Sequence, residues 1–245
     1  MSKFSEIFED MSRVNDRTIV FMDFLDFVIA GFNINPDYEF KWRGKYDDGE
    51  GKFYELFQEL VKELEAKLDN GEQYYDFLGD FYEEVVQAKA KASSMGQFFT
   101  PPEVSTLLSR LAIEDDDEEV KRVYDCASGS GRLLLAYHSM KPDHIIIADE
   151  LDEVSAKMCT INFILHGVRG AVRCMDSITQ EFYFGFKTNE MMEYGANGSP
   201  HCMDISELHH ALVFFGESYG EIVQLKDDGD TGGSEVVPAG QTTLI

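Results

Sequence analysis

Basic side chains are scarce in this 245-residue chain: 21 lysines and arginines stand against 46 aspartates and glutamates, a net charge of −25. Nucleic-acid binders usually attract phosphates through a basic face. Any DNA contact therefore has to come from a local basic patch, a metal or a partner subunit. Cysteine is scarce too. Cys126, Cys159, Cys174 and Cys202 are scattered with no CxxC pair, which reads as reduced thiols and excludes a disulfide scaffold or zinc knuckle. His201 and Cys202, with His209 and His210, match no metal-ligand spacing, so no metal is expected. No apolar run approaches the roughly 20 residues of a membrane span. The opening MSKFSEIFEDM has no long apolar core and does not read as a signal peptide. A cytoplasmic protein with no membrane partner is expected, and no internal repeat is visible.

What is present is globular: 44% of residues are hydrophobic. Residues 1–92 read as a helical N-terminal region. Ile19 to Ile29 is densely apolar, like a buried helix, and Phe53, Leu56, Phe57, Leu60, Val61 and Leu64 recur at helical spacing. Residues 93–225 change character. Short apolar runs at 120–125, 144–149 and 171–176 alternate with helical segments at 131–140 and 152–166, the β-α-β-α-β order of a parallel sheet flanked by helices. Residues 226–245, acidic and glycine-rich, read as a flexible tail.

The stretch VYDCASGSGRLLLAYH carries the first chemical signal. A strand ends at Asp125 and turns through Ser128, Gly129, Ser130 and Gly131 into a helix. Glycines let backbone approach a ligand closely, and the helix start presents free N–H groups to an anion. A third glycine is missing, since Leu134 takes its place, so a dinucleotide pyrophosphate is not required. The next strand, HIIIADE, ends in Asp149 and Glu150, where an acid commonly binds a ribose diol. The site therefore expects a nucleoside with a charged tail, and S-adenosylmethionine fits. Asp176 and Ser177 end the third strand, placed either to bond an adenine amino group or to make a surface turn.

Just before the sheet, MGQFFTPPEV sets Phe98 beside Phe99. The pair reads as core filler at a joint or as the wall of a ligand pocket. Thr100 to Glu103 gives T-x-x-E with a proline at the first helical position, a helix-start signature. Val104, Leu107, Leu108 and Leu111 follow at helical spacing and are expected to pack on the sheet.

Taken together, MGQFFTPPEVSTLL, DCASGSGRLL, ADELDEVSAKMCTINFILHG and MDSI resemble, in order and spacing, the motifs of adenine-N6 DNA methyltransferases, especially modification subunits of type I restriction systems. FLGDFYEEVVQ resembles the helix that leads into their pocket. The resemblance covers residues 77–178. It implies a Rossmann-like S-adenosylmethionine-dependent methyltransferase fold and cofactor contacts by Gln97, Phe98, Phe99, Thr100, Pro101, Gly129, Gly131, Glu150 and Asp176. Asp125 and Ser130, which frame the same turn, join that set. It also implies DNA or restriction-system subunits as partners.

One part of the pattern is missing. The family's catalytic N/D-P-P-F/Y/W motif, at the end of its fourth strand, is expected roughly 20–30 residues beyond Asp176 by the family's layout, where its polar groups and aromatic would hold a flipped adenine. No such tetrapeptide occurs in the chain, and Asn197, in Asn-Gly-Ser-Pro, is the nearest candidate. The activity is therefore expected to be divergent, reduced or dependent on a partner. The alternatives are a non-enzymatic interaction protein, acting as an acidic DNA mimic or a decoy for restriction subunits, and a methyltransferase acting on a non-DNA substrate. The terminal QTTLI resembles peptides that bind sliding clamps, with Gln241 fixing register and Leu244 and Ile245 as apolar anchors.

Overall fold

Side-chain caps start the first two helices. In the computed structural model, which describes residues 2–41, 43–44, 46, 49–86, 99–113, 120–191, 198–205 and 242–244, the Ser2 hydroxyl accepts the Ser5 N–H ahead of α1 (Lys3–Met11). The Asp16 carboxylate accepts the amides of Thr18 and Ile19 ahead of α2 (Arg17–Phe32). Each bond satisfies an N–H that the first helical turn leaves free. Phe4, Ile7, Phe8 and Met11 recur on one face of α1 and are buried. α2 buries Val20, Phe21, Met22, Phe24, Leu25, Val28 and Ile29, spread around most of its circumference, while Thr18, Ile19 and Gly31 stay exposed. Phe53, Leu56, Leu60 and Leu64 line the inner face of α3 (Gly49–Asp69). α4 (Phe77–Phe81) runs into a π-helical turn, Tyr82–Val86. The four helices meet in an aromatic cluster in which Phe4 stands edge-on to Phe77 and Phe81, with centroids 4.9 and 4.8 Å apart.

After α5 (Pro102–Ala112) the chain alternates: β1 (Arg122–Asp125), α6 (Arg132–Met140), β2 (Ile145–Glu150), α7 (Glu153–Leu165) and β3 (Gly170–Asp176). β1, β2 and β3 pair in parallel, as the alternating pattern predicts. β4 (Glu181–Thr188) and β5 (Cys202–Asp204) then extend the sheet antiparallel from β3. β6 (Thr242–Leu244) pairs in parallel with β1, giving the order β5-β4-β3-β2-β1-β6. β2 and β3 approach closely at Gly170, where an added Cβ would lie 1.7 Å from the Ile146 carbonyl oxygen.

α7 is buried on both sides. One side, through Val154, Met158, Ile161 and Ile164, joins the core of the N-terminal helices. The other, through Ala156, Cys159 and Phe163, joins Val123, Ile146, Ala148, Val172 and Cys174 of the sheet. The helical region is thus a further layer stacked on α7, sharing its core with the sheet.

Three expectations are corrected. The apolar stripe of α5 does not pack on the sheet. Ser105 and Ser109 are its buried residues, and Ser109 Oγ donates to the Leu133 carbonyl of α6 at 3.2 Å. Leu107 and Leu111 remain 57% and 74% exposed. Helical spacing defines a face but does not say which face is inward, and two serines four apart let α5 lie closer to α6 than leucines would. The T-x-x-E signature also shifts by one residue: Pro101 is the N-cap, without a side-chain capping bond, and Pro102 opens the helix. Finally, Thr242–Leu244, expected in a flexible tail, form β6. A clamp would have to pull Leu244 off β1 to bind it as a peptide anchor, and the other anchors of that reading, Gln241 and Ile245, lie outside the described residues.

Candidate cofactor site

The carboxyl ends of β1, β2 and β3 converge on the turn after β1. Gly129 and Gly131 there take φ of +56° and +86°, a left-handed backbone that side chains disfavour. Glu150, at the end of β2, reaches across to the turn. Its Oε2 accepts the Gly129 N–H at 2.8 Å and its Oε1 accepts the Asp152 N–H at 2.8 Å. The acid that the sequence assigns to a ribose is therefore held by two backbone amides, and each oxygen keeps a further lone pair for a hydroxyl donor.

Asp125 ends β1 behind this turn. Its Oδ1 accepts the Ala127 N–H at 3.0 Å. Burial is the main reason its carboxyl is pushed up to about 6, and the negative charges of Glu150 and Asp149 add to the effect. An acid so placed gains most from a cation brought beside it. Asp149, one residue before Glu150, does a different job. It is fully buried and forms a two-point ion pair with Arg173, Nε to Oδ1 at 2.7 Å and Nη2 to Oδ2 at 2.8 Å, while Tyr124 Oη donates to Oδ2 at 2.7 Å. Strand alternation turns Asp149 and Glu150 to opposite faces, so only Glu150 faces the turn.

Asp176 caps its own turn. Its Oδ1 accepts the amides of Ile178 and Thr179 at 2.8 and 3.1 Å, and these bonds hold its carboxyl below the usual range. Ser177 Oγ donates to the Cys126 carbonyl at 2.7 Å, which ties the end of β3 to the β1 turn.

The aromatic wall is Phe99. Its ring lies so close to Gly129 that an added Cβ would stand 2.8 Å from Phe99 Cδ1. Its N–H donates to Glu83 Oε1 of the π-helical turn at 2.9 Å, and the Arg132 guanidinium sits 5.9 Å from the ring centroid. Thr100 contributes its carbonyl, 3.4 Å from Arg132 Nη1, and Pro101 serves as the α5 N-cap. Phe99, Gly129 and Glu150 are thus brought together, Asp125 stands behind them, and Asp176 lies in the neighbouring turn. Gln97, Phe98 and Asn197 lie outside the described residues.

Sequence reasoning missed the support beneath the turn. Asp76 is buried, and its carboxylate receives four donors: Ser130 Oγ, Arg132 Nε at 3.0 Å, Asn162 Nδ2 at 2.8 Å and the Gly79 N–H at 2.9 Å. Arg132 Nη2 continues to Asp80 at 2.7 Å. These residues come from three separate parts of the chain. The only local signal is the Asp-Phe-Leu-Gly run at 76–79, a helix N-cap.

The stretch 20–30 residues beyond Asp176, where the family's layout puts the adenine-binding tetrapeptide, contains β5, which pairs antiparallel with β4. Among the described residues, the strand that pairs with the outer side of β1 is β6 at Thr242–Leu244. His201, weighed as a metal ligand, is used structurally. Its Nδ1 bonds the Ser199 carbonyl at 2.9 Å and its Nε2 accepts the Met191 N–H at 3.2 Å. His209 and His210 lie outside the described residues. Among those described, no cluster of metal-ligating side chains occurs and no helix is long and apolar enough to cross a membrane.

Comparison with known proteins bears on the same segment. The family model of N-6 DNA methylases matches residues 73–201. The methylase subunit of the type I restriction enzyme MjaVIII from Methanocaldococcus jannaschii is 36% identical over 118 residues, 46% of this chain and 20% of that protein. The MpnII methylase subunit from Mycoplasma pneumoniae is 35% identical over 123 residues, 45% of this chain and 22% of that protein. A crystal structure of a type I methyltransferase subunit from Streptococcus thermophilus matches at 31% identity and a TM-score of 0.32, covering 49% of this chain and 25% of that one. The chain thus spans about a fifth of the length of these curated relatives.

Proposed function

Since the chain belongs to the N-6 DNA methylase family, we propose that it binds S-adenosylmethionine at the carboxyl ends of β1 and β2, as the cofactor-binding part of an adenine-methylating assembly. The observation that carries this reading is the meeting of Glu150 and Phe99 on Gly129. The carboxylate offers acceptors for a ribose diol, the ring offers a face for a purine, and the left-handed glycine lets both approach. Asp125 adds an anion suited to the cationic tail. The cofactor supplies a sulfonium-bound methyl group; the residues described here bind and orient it.

Transfer to adenine needs more. The 245 residues contain no N/D-P-P-F/Y/W tetrapeptide, and a net charge of −25 opposes approach to DNA. We therefore assign DNA contact and base orientation to groups beyond these residues, supplied by restriction-system subunits; the relatives are methylase subunits of type I restriction enzymes.

Isothermal titration with S-adenosylmethionine tests the reading. Saturable binding that Glu150→Ala weakens by about tenfold, or 1.4 kcal/mol, is expected. No binding by the intact chain, or no effect of that substitution, overturns it. With labelled cofactor and unmethylated DNA, the chain alone is expected to transfer no methyl. Transfer by the chain alone overturns the dependence on partners, and transfer that survives Asn197→Ala also removes that asparagine as a candidate.

A further inference from the structure

We propose that Asp76 is the positioning residue through which the N-terminal helical region holds the glycine turn in its ligand-binding shape. The inference concerns the cofactor site and rests on the reading given above.

Asp76 belongs to the helical region, where it is the N-cap of α4. The same carboxylate reaches both ends of the turn's second half, taking Ser130 Oγ and Arg132 Nε on Oδ2. Oδ1 takes Asn162 Nδ2, and that amide also donates to the Ser130 carbonyl at 2.8 Å. Ser130 is thus held at its hydroxyl and at its carbonyl by one connected group of side chains. Between its neighbours Gly129 and Gly131, whose left-handed backbones resist little rotation,, this is where fixation is needed.

Four donors on one carboxylate fill its acceptor capacity. A buried network satisfied in this way is rigid, and it loses rigidity when one member is removed. Gly79 shows how closely the parts fit: an added Cβ there would lie 2.1 Å from Asp76 Oδ2.

A second tie runs in parallel. Asp80 and Glu83 of the same region face Arg132, at 2.7 and 3.9 Å, and Glu83 holds the Phe99 amide. The helical region therefore grips both sides of the proposed pocket, the turn through Asp76 and the aromatic wall through Glu83. π-Helical turns such as the one that carries Glu83 are frequent at functional sites.

The experiment compares Asp76→Asn with Leu60→Ala, which opens a cavity in α3 without touching the network. Thermal melts establish that each variant folds and how much stability it loses. Amide hydrogen exchange at Gly129 and Gly131, whose N–H groups donate to Glu150 and to the Ser128 carbonyl, reads the turn itself without cofactor. Titration with S-adenosylmethionine reads its consequence.

Asp76→Asn is expected to speed exchange at these glycines and to weaken binding, each by about tenfold, while Leu60→Ala changes neither beyond its global destabilisation. Equal effects from the two variants, or no effect of Asp76→Asn on exchange, overturn the proposal. If the intact chain binds no S-adenosylmethionine but exchange still responds to Asp76→Asn, the cofactor reading falls and the anchoring of the turn stands. Should Asp76→Asn not fold, Asn162→Ser removes the amide shared by Asp76 and Ser130, and the same comparison decides.

Discussion

The Gly129 amide donates to Glu150 across 2.8 Å, joining the turn after β1 to the end of β2. The bond depends on a left-handed glycine, and the Phe99 ring closes the space a side chain would need. Gly129→Ala is therefore expected to cost roughly 1–3 kcal/mol of stability, the usual range for a strained non-glycine backbone, and to abolish detectable S-adenosylmethionine binding. Chemical denaturation and titration check the two effects separately.

Adjacent acids on β2 are expected to behave differently. Asp149 is fully buried against Arg173, so Arg173→Met leaves a buried charge unpaired. Breaking such a pair typically costs roughly 3–5 kcal/mol, and urea denaturation should show a loss of that order. Replacing both members, as in Asp149→Leu with Arg173→Leu, should recover part of it. Glu150→Ala, by contrast, is expected to affect ligand binding more than stability.

Binding should also depend on pH through Asp125. Its carboxyl is pushed from 3.8 to about 6 by burial and the neighbouring carboxylates. A raised acid pKa means that ionisation opposes folding: the cost is absent below the unfolded value and fully present above about 6. A cationic ligand reverses the preference, because it pairs with the ionised form. Affinity for S-adenosylmethionine is therefore expected to rise by about tenfold from pH 5 to pH 7 and then level off. Asp125→Asn should flatten that profile, and titrations at stepped pH read it directly.

Much of this site is legible in the chain before any coordinates. Strand ends at Asp125, Glu150 and Asp176 follow from short apolar runs, and the positive φ of Gly129 and Gly131 follows from glycine at a strand-to-helix turn. The Asp76 network is not legible, because its members come from α4, the glycine turn and α7, and no local pattern couples them. Period also misleads at α5. Leucines at helical spacing suggested a buried stripe, yet close contact with α6 is made by Ser105 and Ser109. β6 is hidden for a related reason: its three residues become a strand only because β1 offers an unpaired edge.

The α5 arrangement gives a clean stability contrast. Leu107 and Leu111 are exposed among the described residues, so Leu107→Lys with Leu111→Glu is expected to change stability by no more than about 0.5 kcal/mol per site. Ser109 is fully buried, with its hydroxyl on the Leu133 carbonyl. Ser109→Leu must push α5 away from α6, and overpacking of this kind costs about 1–3 kcal/mol. Thermal melts of the variants decide it: a large loss from the leucine substitutions with none from Ser109→Leu would mean that the helix packs by its apolar face after all.

The last strand yields a prediction about both stability and association. β6 covers the outer edge of β1 in register, with Arg122, Val123 and Tyr124 opposite Thr242, Thr243 and Leu244. Removing residues 242–245 strips those ladder partners from β1 and moves the sheet edge from the three-residue β6 to the longer β1. Very short edge strands are one way proteins blunt an edge, and a longer open one is a better template for pairing with another chain. The truncated protein is expected to melt earlier and to form larger species as concentration rises, while the full chain does not. Light scattering across a concentration series, run beside thermal denaturation, measures both. A truncated protein with unchanged melting and unchanged size would show that β6 contributes nothing to holding β1 in the sheet.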